Sequence, residues 1–306
     1  MTQLITPTAT TILLYGRTGS GKTSQIGVLA EHVKATTGLD TRVYRADAGG
    51  DDTIAPHQEL GFVHVIPYLG GDPWIWLNKA VNGYIRDAAG KWILDKEANA
   101  KVGFYAFESA HSIAKLLKSD MEHKAANGVN IGGDTNTTFS TQGDGETLKI
   151  GTTKGFMKYS IPQTRVNEEM LVSQRLPAKY VLWTAGVSKD DDEVTSLKII
   201  GPDILGKALT ATLPMDFNYT IRIDAVPQPG GKPAKHVMYL GVHQDVNSGN
   251  AMALGNIRRP LDAPEMTKYT IEPADIVQAL KLVRDDAKEA AKKKIAERLK
   301  GVLKQA

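Results

Sequence analysis

Residues 11–15, 102–107 and 180–185 are apolar almost from end to end, as strands buried on both faces of a sheet must be. Shorter apolar or alternating runs at 41–46, 62–66, 197–200, 217–223 and 236–243 predict further strands. Between them the period lengthens. Ile26, Leu29, Ala30 and Val33 recur at helical spacing in 23–34, closed by Thr36, Thr37 and Gly38. Trp74, Trp76, Leu77, Val81 and Ile85 do the same in 73–86. A third, less regular stripe of Val166, Met170 and Val172 or Ser173 predicts a helix over 162–176, ended by Pro177. The early order, strand, helix, strand, strand, helix, implies a parallel sheet with helical crossovers. The Pro/Gly cluster at 227–233 predicts a hairpin loop between the last two long strands. Glu272 and Pro273 open a helix expected to run to about residue 303, with Ile276, Leu280, Val283, Ala287, Ala290, Ala291, Ile295, Leu299 and Val302 on its apolar side.

Two regions break the pattern. Residues 121–160 are rich in Gly, Thr, Asn and Asp and read as a long excursion, for which a functional lid and a disordered loop both fit the composition. On its far side Lys149, Lys154 and Lys158 accompany Phe156 and Tyr159, a mixture that suits either a single-strand contact or a solvated loop with a small packed anchor. The end of the chain gathers Lys288, Lys292, Lys293, Lys294, Arg298, Lys300 and Lys304. Packing on the core, contact with nucleic acid and docking on a neighbouring subunit are all open to such a helix. The expected organisation is a core over 1–265 and a basic amphipathic helix over 266–306.

Composition adds exclusions. With 306 residues the chain is long enough for one large α/β domain, and its formal charge of +3 argues for no nucleic-acid groove by itself. The absence of cysteine excludes disulfides, thiolate catalysis and thiolate zinc sites, and suits a reducing cytoplasm. No apolar stretch approaches the roughly eighteen residues of a membrane span, and the first residues lack a signal-peptide pattern. A cytoplasmic protein without a membrane partner is expected.

The chemistry concentrates after the first strand, where residues 16–23 read GRTGSGKT, a full G-x-x-x-x-G-K-[ST] phosphate-binding loop. Gly16, Gly19 and Gly21 let the backbone curl until successive N–H groups face one anion, and the following helix adds the positive end of its dipole. Arg17, Thr18, Ser20 and Ser24 complete the loop around them. Lys22 is placed to reach the β- and γ-phosphates of a nucleotide, and Thr23 to offer its hydroxyl to Mg²⁺. Such a loop needs an acid at the end of a neighbouring strand to help hold the metal. Glu108, directly after the apolar run 102–107, fits that role and equally fits a surface acid capping the next helix. Thr184, at the end of 180–185, is a γ-phosphate sensor or an ordinary core threonine.

These segments, with residues 201–209, resemble the bacteriophage RecA-like P-loop nucleotide-binding proteins, some of which are similar to single-strand annealing recombination ATPases. The resemblance spans roughly residues 8–262. It implies a RecA-like P-loop NTPase core: a mainly parallel central sheet flanked by helices, with β-hairpin additions and a long C-terminal helix. It further implies ATP and Mg²⁺ as ligands, assembly into a homo-oligomeric ring or filament, and a host cytoplasm as the setting. By position it assigns Asp47 to the attacking water, the pair Glu108 and Ser109 to the metal, and Arg258 or Arg259 to a neighbour's γ-phosphate. Asp47 is one methylene shorter than the usual Glu and Glu108 one longer than the usual Asp, and Arg258 and Arg259 are equally read as a surface pair at a strand end. The function implied is an ATPase in DNA recombination, annealing or replication. The alternatives are an ATP-dependent assembly or packaging factor with a protein partner, and a small-molecule kinase.

Overall fold

The computed structural model describes residues 9–46, 51–126, 139–141, 148–150, 157–191, 198–205, 212–244, 251–257 and 269–305. In chain order these form β1 (Thr10–Tyr15), α1 (Lys22–Thr37), β2 (Asp40–Arg45), α2 (Asp51–Glu59), β3 (Val63–Pro67), α3 (Pro73–Val81), β4 (Ile85–Arg86), β5 (Trp92–Ile93), α4 (Lys96–Ala100), β6 (Val102–Glu108) and α5 (Ala110–Ala126). There follow β7 (Phe139–Thr141), β8 (Leu148–Ile150), α6 (Met157–Ser173), β9 (Tyr180–Asp191), β10 (Lys198–Asp203), β11 (Tyr219–Val226), β12 (Lys235–Leu240), β13 (His243–Gln244), β14 (Ala251–Ala253), β15 (Asn256–Ile257) and β16 (Thr270–Ile271). Helices α7 (Ile276–Leu280) and α8 (Asp286–Gln305), joined by a π-helical turn at Lys281–Asp285, close the described chain.

The main sheet runs β3-β2-β6-β9-β1-β11-β12-β16, parallel from β3 to β11 and antiparallel over its last two strands. This is the mainly parallel, helix-flanked architecture that the sequence predicts. One strand, β9, lies between β1, which carries the phosphate-binding sequence, and β6, which carries Glu108. Past its pairing with β1, β9 continues for six more residues, Gly186 to Asp191, pairing antiparallel with β10 in the same sheet.

Alternation along the central strands divides the core into two layers. Ile12 and Leu14 of β1, Phe104 and Ala106 of β6 and Leu182 of β9 face one side, with Ile26, Leu29 and Val33 of α1 and Ile276, Ala279, Leu280 and Val283 of the last helix. Leu13, Tyr15, Tyr105, Phe107 and Trp183 face the other, under Trp76, Leu77, Ile113, Leu117, Val166 and Met170 of α3, α5 and α6. On that second side Tyr44, Phe107 and Trp183 form a stack across β2, β6 and β9, with ring centroids 5.4 and 4.4 Å apart. Each such pair adds about 0.5–1.5 kcal/mol beyond its buried area, and the stack fixes the strand ends at which Glu108 and Thr184 stand.

Several boundaries differ from those the periodicity predicts. The helix expected over 73–86 ends at Val81, because Gly83 takes a φ of 75° and Ile85 and Arg86 turn into a two-stranded hairpin with β5. Ile85 therefore belongs to a strand. Helix α2, with Pro56 inside it and a weak apolar stripe, intervenes between β2 and β3, where two successive strands were expected. Helix α6 begins at Met157, five residues before Pro162, and closes at Ser173 rather than running on to Pro177. The single strand expected over 236–243 is broken at Gly241, φ 77°, into β12 and β13. The expected hairpin between β11 and β12 is present. Of the excursion 121–160, the described parts are the end of α5, the β7–β8 hairpin and the start of α6, and the rest lies outside the described residues. Asp275, through hydrogen bonds from the backbone N–H groups of Val277 and Gln278, caps the final helix two residues beyond Pro273. Among the described residues no helix is long and apolar enough to cross a membrane.

Candidate nucleotide site

At the carboxyl edge of the parallel strands lies an open cavity of about 1320 Å³, lined by the phosphate-loop residues, Glu108, Ser109, the start of α5, the β11–β12 loop and Pro273 and Ala274. The loop's three glycines are each required. A Cβ on Gly16 would stand 2.1 Å from the carbonyl oxygen of Ile223 and 2.6 Å from Ser20 Oγ, so the chain passes too close to β11 for any side chain. Gly19 and Gly21 have φ values of 77° and 92°, in the left-handed region that glycine enters without penalty. Gly21 is also the N-cap of α1 and supplies no side-chain cap, and the first turn of that helix holds no acidic residue. The unclaimed N–H groups and the dipole of a 16-residue helix thus face the cavity as an anion-binding end.

The Lys22 ammonium donates to the carbonyls of Gly16 at 2.9 Å and Arg17 at 3.0 Å, folded over its own loop. The Thr23 hydroxyl donates to Glu108 Oε1 across the intervening strand β9. Glu108 is thus partnered by the phosphate loop's threonine. It is 5 % exposed at the end of β6, and the cap of α5 is Ser109, whose Oγ accepts from the Ser112 N–H at 3.2 Å. A threonine hydroxyl beside a carboxylate is a hard-oxygen pair of the kind Mg²⁺ takes. Among the described residues no group of three or more His, Asp or Glu side chains is placed to hold a metal ion. By the chemistry of its two oxygens the Thr23–Glu108 pair fits Mg²⁺.

Thr184 is fully buried in β9, opposite Leu14 of β1, and its hydroxyl has no hydrogen-bond partner among the described residues. It does not line the cavity, whereas Gly186 and Val187, two and three residues on, do. Asp47, Arg258 and Arg259 lie outside the described residues, as do residues 206–209 of the resembling segment. The structure brings in further side chains that the sequence reading gave no role. His111 Nδ1, in the first turn of α5, stands 2.9 Å from Asp203 Oδ2 at the end of β10, an ion-pair distance without hydrogen-bond alignment. Lys115, Lys232, Lys235 and His236 bring further basic groups to the wall. Gln25 joins α1 to the last helix: its Nε2 donates to the Ala274 carbonyl at 3.0 Å, and its Oε1 accepts from the Ile276 N–H at 2.9 Å.

A phosphate loop opening α1 beside a carboxylate on a parallel sheet defines the class: an α/β protein with the P-loop arrangement. No family model and no curated protein matches the chain. Solved structures similar to it include the following two. A KaiC-like protein from Pyrococcus horikoshii OT3 is 12% identical, covers 81% of this chain and 90% of its own, and superposes with a TM-score of 0.40. The flagellar accessory protein FlaH of Methanocaldococcus jannaschii is 11% identical, with 76% and 78% covered and a TM-score of 0.41.

Proposed function

We propose that this protein binds ATP with Mg²⁺ through residues 16–24 and hydrolyses it. The observation that carries the reading is the Thr23–Glu108 contact beside a glycine-capped helix end, in a cavity at the carboxyl edge of the sheet. On binding, Lys22 exchanges the carbonyls of Gly16 and Arg17 for the β- and γ-phosphates, so the same ammonium serves both states. Thr23 and Glu108 would hold the metal, which would supply neutralisation of phosphate charge. Hydrolysis needs no covalent intermediate, because positioning and charge neutralisation supply most of the acceleration in phosphoryl transfer. Asp47 is assigned to the attacking water, and Arg258 or Arg259 to the γ-phosphate of an adjacent copy in a ring or filament, by the RecA-like resemblance.

The test is ATP turnover by the full chain with and without Mg²⁺. Lys22→Ala is expected to abolish it while circular dichroism and melting temperature stay as in the unaltered protein; undiminished turnover in that variant would remove the site. The resemblance carries the further reading that turnover serves DNA recombination, annealing or replication. Single-stranded DNA should then raise the rate, and the gain should fall steeply with salt as phosphate contacts displace counterions. Absence of both stimulation and binding turns the reading to an assembly or packaging factor, and transfer of phosphate to a metabolite turns it to a kinase.

A further inference from the structure

His236, on β12, is 216 residues from the phosphate loop in sequence and touches it directly: its Nδ1 lies 2.8 Å from the carbonyl oxygen of Ser20. A carbonyl oxygen only accepts, so Nδ1 carries the hydrogen and donates. The ring also lies along Gly21, where a Cβ would stand 3.2 Å from Nδ1 and 3.6 Å from Cε1. The histidine itself is firmly placed. Its residue pairs with Ala225 of β11, its own carbonyl accepts the Ala274 N–H at 2.9 Å, and its neighbour Lys235 pairs with Glu272.

The peptide joining Ser20 to Gly21 is planar and trans, so the Gly21 N–H points opposite to the Ser20 carbonyl. Anchoring that carbonyl on His236 fixes the direction of the next N–H. With φ at 92° and no side chain, Gly21 has wide conformational freedom, and its peptide would otherwise rotate at small cost. We propose that His236 is a positioning residue of the nucleotide site: its Nδ1–H holds the Ser20–Gly21 peptide in the one orientation that presents the Gly21 N–H to the phosphates. The inference rests on the ATP-binding reading above and adds to it a requirement that the loop sequence does not contain. The loop is then completed by the β11–β12 hairpin, which also backs Gly16 through the Ile223 carbonyl.

The experiment compares His236→Leu, which fills the space without a donor, with His236→Asn, whose amide nitrogen takes the place of Nδ1. Binding of Mg·ADP is measured by calorimetry and turnover of Mg·ATP by phosphate release. The worth of one such hydrogen bond corresponds to at most about tenfold in an equilibrium constant, so H236L, which must order the peptide on binding, is expected to raise Kd and KM several-fold, up to about that factor, with kcat at saturation little changed. H236N should return both to within about threefold of the unaltered protein. Equal weakening in both variants makes the residue a packing element, and no weakening in either removes any role; both outcomes overturn the proposal. Should H236L melt early, His236→Gln, whose amide reaches the Nε2 position instead, is expected to bind as weakly as H236L was, and rescue by Gln would equally overturn it. An unaltered protein that binds no ADP refutes the ATP reading itself, a result distinct from any pattern among the variants.

Discussion

The Glu108 carboxylate accepts from Thr23 and sits 5 % exposed at the end of β6, so removing its charge would change the surroundings of the proposed metal without emptying a core position. Glu108→Gln keeps the volume, and an amide oxygen binds Mg²⁺ far less strongly than a carboxylate. Turnover at fixed Mg²⁺ should fall by about one to two powers of ten, the cost typical of disturbing a residue close to a bound metal. A titration with Mg²⁺ should show the midpoint displaced upward, and an unmoved midpoint would take Glu108 out of the metal's coordination. At this scale the sequence was informative where the chemistry is local. Glycine spacing singled out the loop, and an apolar run leading straight into an acid singled out Glu108, which the structure places against Thr23. The sequence was silent on the contacts of His236 with Ser20 and of His111 with Asp203, which join residues far apart in the chain.

Element by element, apolar periodicity found the buried strands and long helices, because burial on both layers imposes a pattern that few other arrangements satisfy. It failed where backbone conformation decides. Gly83 stops α3 in spite of the apolar Ile85 beyond it, and Gly241 splits β12 from β13. The start of α3 shows how an element end is held: the Asp72 carboxylate accepts from the Trp74 and Ile75 N–H groups at 2.8 and 3.1 Å and pairs with Lys124 at 2.7 Å. Partial burial alone would raise its pKa, but the hydrogen bonds from Lys124, Ile75 and Trp74 together hold it below the ordinary value. Its contribution to stability is therefore present above the unfolded carboxyl value of about 3.9 and lost as pH falls through the lower folded value. Asp72→Ala should cost about 1 kcal/mol at neutral pH. Denaturant melts at pH 7 and at about pH 3 should show that difference shrinking in acid.

Across the whole molecule, the last helix packs against the helix that follows the phosphate loop. Ile276, Ala279, Leu280 and Val283 pack in the same layer as Ile26, Leu29 and Val33 of α1, while Ile295 and Leu299 farther along stay 41 % and 58 % exposed. The sequence announced this helix and its basic stripe but not what its beginning touches. The parallel sheet was legible from alternating strand and helix patterns, whereas the position of β9 between β1 and β6 was not, because strand order depends on contacts between residues far apart in the chain.

Gln25 gives that arrangement a physical consequence. Its single amide group accepts from the first backbone N–H of the last helix and donates to the carbonyl two residues before it, across 251 and 249 residues of sequence. An element that shares an amide with the phosphate loop's own helix loosens when that helix loosens, so the exchange rate of the Ile276 N–H with solvent deuterium becomes a gauge of the loop. Saturating Mg·ADP should slow that one amide several-fold, in proportion to the binding energy that opening must overcome, and Gln25→Ala should uncouple it. A ligand arriving at residues 16–24 would then be felt at the root of a basic helix whose far half still presents Ile295 and Leu299 to solvent.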